Sequence, residues 1–113
     1  MPGRDRLQIA RDCYEAYASS RRQLVEQHLS EDFRFFSPAD VGIDRAAYFE
    51  RCWPSSTWIA GYDFKRLVEV GEEVLVTYEA TKTDGRRFRN TEVLAFRGDQ
   101  IVRAEVYFGW NLA

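Results

Sequence analysis

Glu92 is the residue in this sequence with the most chemistry to offer. In the stretch RFRNTEVLAFRGDQIVRAEVYFGW it shares a two-residue alternation with Phe88, Asn90, Leu94 and Phe96, so all five fall on one face of a strand. Beyond the Gly98–Asp99 turn, Val102, Ala104, Val106 and Phe108 form an apolar row, and Arg103, Glu105 and Tyr107 take the other side. If the two apolar rows share an interior, Glu92 and Asn90 point into it. A carboxyl group there is paired, hydrogen-bonded or protonated, because desolvation penalises its charged form. One reading is a structural acid bonded to Asn90, a tyrosine or the backbone. The other is an acid of raised pKa that gives a proton to a ligand oxygen or takes one from it.

Few other residues can join it. Asp40 lies in the loop PADVGI after Pro38, near the expected mouth of a cavity, and is a candidate general base; aspartate is also common in loops for turn chemistry alone. Tyr78 shares parity with Val74, Val76 and Ala80, so its hydroxyl points inward and needs a partner, for which Glu92 or Asn90 is available. Tyr14, Tyr17, Tyr48, Phe49, Trp53, Tyr78 and Phe108, with Asn90, make up the candidate ligand-contacting set, although aromatic stripes of this kind usually form plain core. His28 is the only histidine, at the end of a helix where a cation suits the dipole, and alone it cannot supply a histidine-cluster metal site. No metal-ligand set is read. Cys13 and Cys52 show no ligand spacing and read as reduced, packed thiols. Arg86, Arg87 and Arg89 read as a solvated hairpin tip.

The elements that must position these residues follow from period and punctuation. Arg4 to Ser19 has helical spacing, and Ser19 or Ser20 breaks it and caps a second helix, RRQLVEQHL. FRFFS reads as a short strand stopped by Pro38, and 38–43 as a loop. Asp44 caps a third helix, DRAAYFERCW, which Pro54 ends, and SSTW is a bridging turn. IAGYDFKRLVEV and VLVTYEATKT are long strands, and Asp84–Gly85 is a hairpin signal leading into the strand of Glu92. Helices gathered ahead of a four-strand meander predict an α+β cone: three N-terminal helices packed on a curved antiparallel sheet, with a small-molecule pocket in its mouth.

Composition narrows the classes. A chain of 113 residues with 45% hydrophobic and 15% aromatic content suits one domain, 1–113, with a real core. A net charge of −2 lacks the basic stripe of a nucleic-acid surface. No apolar run reaches the ~18 residues of a membrane span and no signal-peptide pattern opens the chain, so a cytoplasmic protein is expected.

The run SEDFRFFSP after two helices, then IDRAAYFERCWP, then DGRRFRNTEVLAFRGDQIVRAEVYF, resembles the nuclear-transport-factor-2-like (NTF2-like, cystatin-like) superfamily. Its SnoaL-like polyketide-cyclase and ketosteroid-isomerase branch is the nearest, and the likeness covers nearly the whole chain. The resemblance implies that Glu92 stands at the oxyanion-hole acid, Tyr48–Phe49 at the aromatic pair of the third helix, and Phe108 at the closing-strand aromatic. The isomerases' base falls on Ser37, and their oxyanion tyrosine falls on Cys13, with Tyr14 and Tyr17 nearby. That fold carries isomerases, cyclases, dehydratases and non-catalytic binding modules. Two functions therefore stand side by side. One is a cofactor-free isomerase or cyclase acting on a small hydrophobic oxygenated molecule, with Glu92 as acid or oxyanion donor and Asp40 as base; enolate-type chemistry of this kind needs no metal. The other is a non-catalytic ligand-binding or scaffold protein. The apolar outer sheet face at Thr91, Val93 and Ala95, and the resemblance, imply a homodimer.

Overall fold

Local signals set the helices closely. In the computed structural model, which describes residues 5–112, Asp5 caps helix α1 (Arg6–Ala18), its carboxylate accepting from the Leu7 N–H at 3.0 Å. Arg4, where the sequence pattern starts this helix, lies outside the described residues. Ser19 ends α1 as its C-cap, and Ser20 takes a left-handed φ of 58°. Neither serine caps the next helix, α2 (Arg22–His28): the N-cap is Arg21, with no side-chain bond, because both serines are used in the turn out of α1. Asp44 does cap α3 (Arg45–Arg51), accepting from the Ala47 N–H at 2.9 Å. Pro54 then steers the chain into a 3-10 helix, Trp53–Trp58, where the sequence suggests a turn.

Six strands follow the alternation: β1 (Leu29–Phe36), β2 (Val41–Asp44), β3 (Ile59–Val70), β4 (Glu73–Lys82), β5 (Arg87–Arg97) and β6 (Gln100–Leu112). Their order across the sheet is β2-β1-β6-β5-β4-β3. The expected antiparallel sheet is corrected to a mixed one, since β1 runs parallel to β6, with Phe35 opposite Ala104. The last strand is drawn between the meander and the first strand, and that non-local pairing has no signature in local spacing. The expected loop at 38–43 is also partly strand: β2 pairs antiparallel with β1, Phe35 opposite Ile43.

Register matters most between β5 and β6. Glu92 lies opposite Val106 and Leu94 opposite Ala104, as alternation requires. A slip between Ala95 and Phe96 then brings Ile101 opposite Phe96. Ile101 is therefore buried and Val102 is not, which replaces Val102 in the expected inner row. A second slip near Gly109 bends the end of β6; a Cβ there would lie 2.2 Å from the Arg89 carbonyl oxygen, so only glycine fits.

The sheet is curved and unclosed, and the helices lie across its concave side. Ile9, Ala10 and Tyr14 of α1 pack with Val74, Val76 and Tyr78 of β4, while Phe33 of β1 is almost fully buried under α3. Burying a side chain of that size stabilises by about 1.5–3 kcal/mol. Among the described residues, no helix is long and apolar enough to cross a membrane.

Candidate functional site

Between helices and sheet lies a cavity of about 550 Å³, within the range that takes a small organic molecule. Its walls are apolar for most of their area, with Val25, Leu29, Phe33, Leu94, Ile101 and Ala104 among them. Polar groups gather at two places, one deep and one at the mouth.

The deep group is built by cross-strand register. Tyr78 of β4 lies opposite Asn90 of β5, two residues from Glu92 on the same face. The Tyr78 hydroxyl donates to Glu92 Oε2 at 2.6 Å, and Asn90 Nδ2 makes a long contact of 3.4 Å to the same hydroxyl. Asn90 is held in turn, its Oδ1 accepting from the Gly109 N–H at 3.2 Å. Tyr14 of α1 completes the group, with its ring 5.4 Å from that of Tyr78 and 5.3 Å from that of Tyr62. Its hydroxyl is buried and completes no well-aligned hydrogen bond. It turns towards Glu92, and a ligand oxygen between the two would offer it a better-aligned acceptor.

Burial decides the electrostatics here. Desolvation raises the Glu92 pKa above the ordinary carboxyl value, while Tyr78 and Tyr14, hydroxyls turned towards the carboxylate, pull it partly back. Glu92 is enclosed by protein yet retains some accessible surface on the cavity. Desolvation, reinforced by Glu92, pushes Tyr14, Tyr62 and Tyr78 well above the usual phenol range. These phenols are donors and not bases. Tyr17 is pushed up to about 12, chiefly by burial, and its hydroxyl is committed to the Cys52 carbonyl at 2.8 Å and to Ser55.

The mouth holds Asp40 and Arg51. Asp40 is fixed by a tight turn, in which the Ser37 N–H donates to the Asp40 carbonyl at 2.7 Å and the Ser37 hydroxyl accepts from the Asp40 N–H at 3.1 Å. Its Oδ1 lies 2.6 Å from Arg51 Nη2. Trp58 and Phe108, 61% and 62% exposed, are aromatic parts of the lining that reach solvent. Cys52, also in the lining, has its thiol pushed up to about 11 by burial, and it is not joined to Cys13 in a disulfide.

Of the residues singled out from the sequence, Glu92, Asp40, Tyr14, Tyr17, Tyr48, Tyr78, Asn90 and Phe108 all line the cavity. Phe49 and Trp53 do not. Phe49 is buried in the core, under the guanidinium groups of Arg22 and Arg45 at 4.5 and 5.3 Å, and Trp53 packs edge-on against Tyr17 at 5.2 Å. Glu92 and Asp40 share one cavity but occupy its deep part and its mouth. Sequence reasoning passed over Tyr62 and Arg51. The alternation Gly61, Tyr62, Asp63, Phe64 in β3 carried the signal for Tyr62, and the charge beside Cys52 marked Arg51 only once the mouth was formed. Among the described residues no group of His, Cys, Asp and Glu side chains suits a metal ion.

A curved, unclosed mixed sheet with helices across its concave face, enclosing a cavity, is the NTF2-like fold, and this chain has it. No family profile matches the sequence, and no curated protein does. Solved structures match closely in shape. An NTF2-like protein of unknown function from Burkholderia pseudomallei is 24% identical, with a TM-score of 0.67 over 92% of this chain and 90% of that one. A putative ketosteroid isomerase from Kribbella flavida is 17% identical, with a TM-score of 0.78 over 96% and 80%. IdmH, a putative polyketide cyclase from Streptomyces antibioticus, is 16% identical, with a TM-score of 0.75 over 91% of each chain. At such identities the likeness is one of fold.

Proposed function

We propose that this protein is a cofactor-free enzyme of the isomerase or cyclase type, acting on a small hydrophobic molecule with a carbonyl or enol oxygen. One observation carries the reading: an enclosed glutamic acid of raised pKa takes a 2.6 Å hydrogen bond from Tyr78, beside a buried Tyr14 hydroxyl that also turns towards it without closing a well-aligned bond. With Oε2 engaged by Tyr78, a proton on Oε1 is available to a ligand oxygen. Glu92 and Tyr14 are then two donors for one developing oxyanion, in a dry site where such donors act most strongly. Ketosteroid isomerase uses a neutral carboxylic acid as an oxyanion donor in this way, and Glu92 is assigned that role by analogy. Asp40 is the candidate base that takes a proton from carbon.

The test is deuterium exchange at carbon next to the carbonyl of aromatic ketones, followed by proton NMR. Exchange above the buffer rate, reduced about 10²–10³-fold in Glu92→Gln, supports the reading. Binding without exchange favours the second reading, a non-catalytic ligand-binding module. That alternative has its own support, because Asp40 is bound by Arg51 and stands at the mouth.

The outer sheet face is proposed as a homodimer contact. Val68, Val70 and Tyr107 are about half exposed there, around Val93. The two unbridged thiols suit a reducing, cytoplasmic setting.

A further inference from the structure

We propose that Arg51 reads a carboxylate on the ligand, so that the cavity takes a carbonyl compound bearing an acidic group at the end away from its carbonyl. The inference rests on the reading of Glu92 as the group that receives the carbonyl. Arg51 is the only cationic side chain among the described residues lining the cavity. Most of the cavity wall is apolar, and Arg51 and the Glu92 group are two of its polar positions.

Arg51 is also underused. Its side chain is 59% exposed, and among the described residues its ion pair runs through Nη2 to Asp40. A guanidinium has five N–H donors in a planar fork, and the exposure of this one leaves donors open to a ligand. The Asp40 contact, though short at 2.6 Å, is not a well-aligned hydrogen bond: Oδ1 is buried and has no bond of good geometry. Asp40 is largely buried and Arg51 largely exposed, so Arg51 is the partner open to a ligand. A ligand carboxylate can meet the fork with two parallel bonds, the stronger arrangement for arginine. In doing so it competes with Asp40 for the same cation. Trp58 and Phe108, exposed parts of the same lining, supply flat apolar surface for an aromatic body.

The experiment is titration calorimetry on two matched pairs of probes. The first pair is acetophenone and para-acetylbenzoate; the second is acetylnaphthalene and an acetylnaphthoate with its two groups at opposite ends. The two lengths cover different spacings between the deep site and the mouth. In the wild type the acid of at least one pair binds about tenfold tighter than its neutral partner. Arg51→Gln brings the ratio near one, and Arg51→Lys retains part of it. Asp40→Asn raises the ratio by removing the competing carboxylate. Glu92→Gln weakens both members and leaves the ratio intact. A wild type that does not prefer the acid overturns the proposal, as does a preference that survives Arg51→Gln, while the reading of Glu92 stands in either case. Failure of every probe to bind overturns both.

Discussion

Replacing Tyr78 by phenylalanine removes one oxygen from the centre of the site and keeps the ring that Tyr14 and Tyr62 pack against. The lost bond is the 2.6 Å donation to Glu92, and its value depends on the charge of the acceptor. Between neutral partners a hydrogen bond contributes about 0.5–1.5 kcal/mol; to an ionised group it contributes about 1.5–3 kcal/mol. Tyr78 itself stays protonated throughout, since burial and Glu92 push its pKa well up. Glu92 therefore sets the pH dependence. Below its folded pKa the substitution costs about 1 kcal/mol, and above it about 2–3 kcal/mol. The same difference appears as a further rise of the Glu92 pKa in the variant, because the Tyr78 bond favours the ionised form. Urea unfolding followed by circular dichroism, repeated from about pH 5 to about pH 9, measures the gap between the two proteins, with the pKa read by carbon-detected NMR. A gap that stays flat or narrows as pH rises refutes this reasoning, for Tyr78 would then not be bonded to a titrating Glu92.

Three further outcomes follow from single contacts. Glu92 is raised in the folded state, so the native protein holds a proton that the unfolded chain releases, and this share of stability is lost as pH rises through the folded pKa; Glu92→Gln removes that slope, seen by comparing urea midpoints across pH. Asp32 is held down to about 2 by hydrogen bonds from Arg97 and then Ser30, so its NMR titration midpoint should climb towards the ordinary aspartate range in Arg97→Ala. Should it stay near 2 in that variant, Arg97 is not the cause. Gly109→Ala drives a Cβ to within 2.2 Å of a backbone oxygen, and thermal melting should show a loss of about 1–3 kcal/mol as the bulge shifts. An unchanged melt would mean that the bend in β6 relaxes freely.

Much of the deep site was readable because cross-strand geometry has a period of two. The parity of Asn90 and Glu92, and that of Tyr78 with its valines, put all three on one face, and a hairpin between them brought that face together. The two aromatics that fell outside the cavity show where parity ends. Phe49 is next to Tyr48 in sequence, yet the short α3 turns one ring to the cavity and the other beneath two arginines. Helical spacing gives a stripe, and which neighbour the stripe meets depends on how the helix is laid down.

What the sequence determined by itself is local: the cap at Asp44, the hairpin turns, the alternation that sends Glu92 inward, and an α+β order of elements. Those features depend on residues a few positions apart, whose preferences are fixed by backbone sterics and nearest hydrogen bonds. The tertiary structure alone decided that β6 lies beside β1 in parallel, that a bulge exchanges Val102 for Ile101, and that Tyr62 and Arg51 meet the cavity. Each of these brings together residues distant in the chain, or depends on a one-residue slip that turns a side chain to the other face. Only the packing of the whole chain chooses among such arrangements.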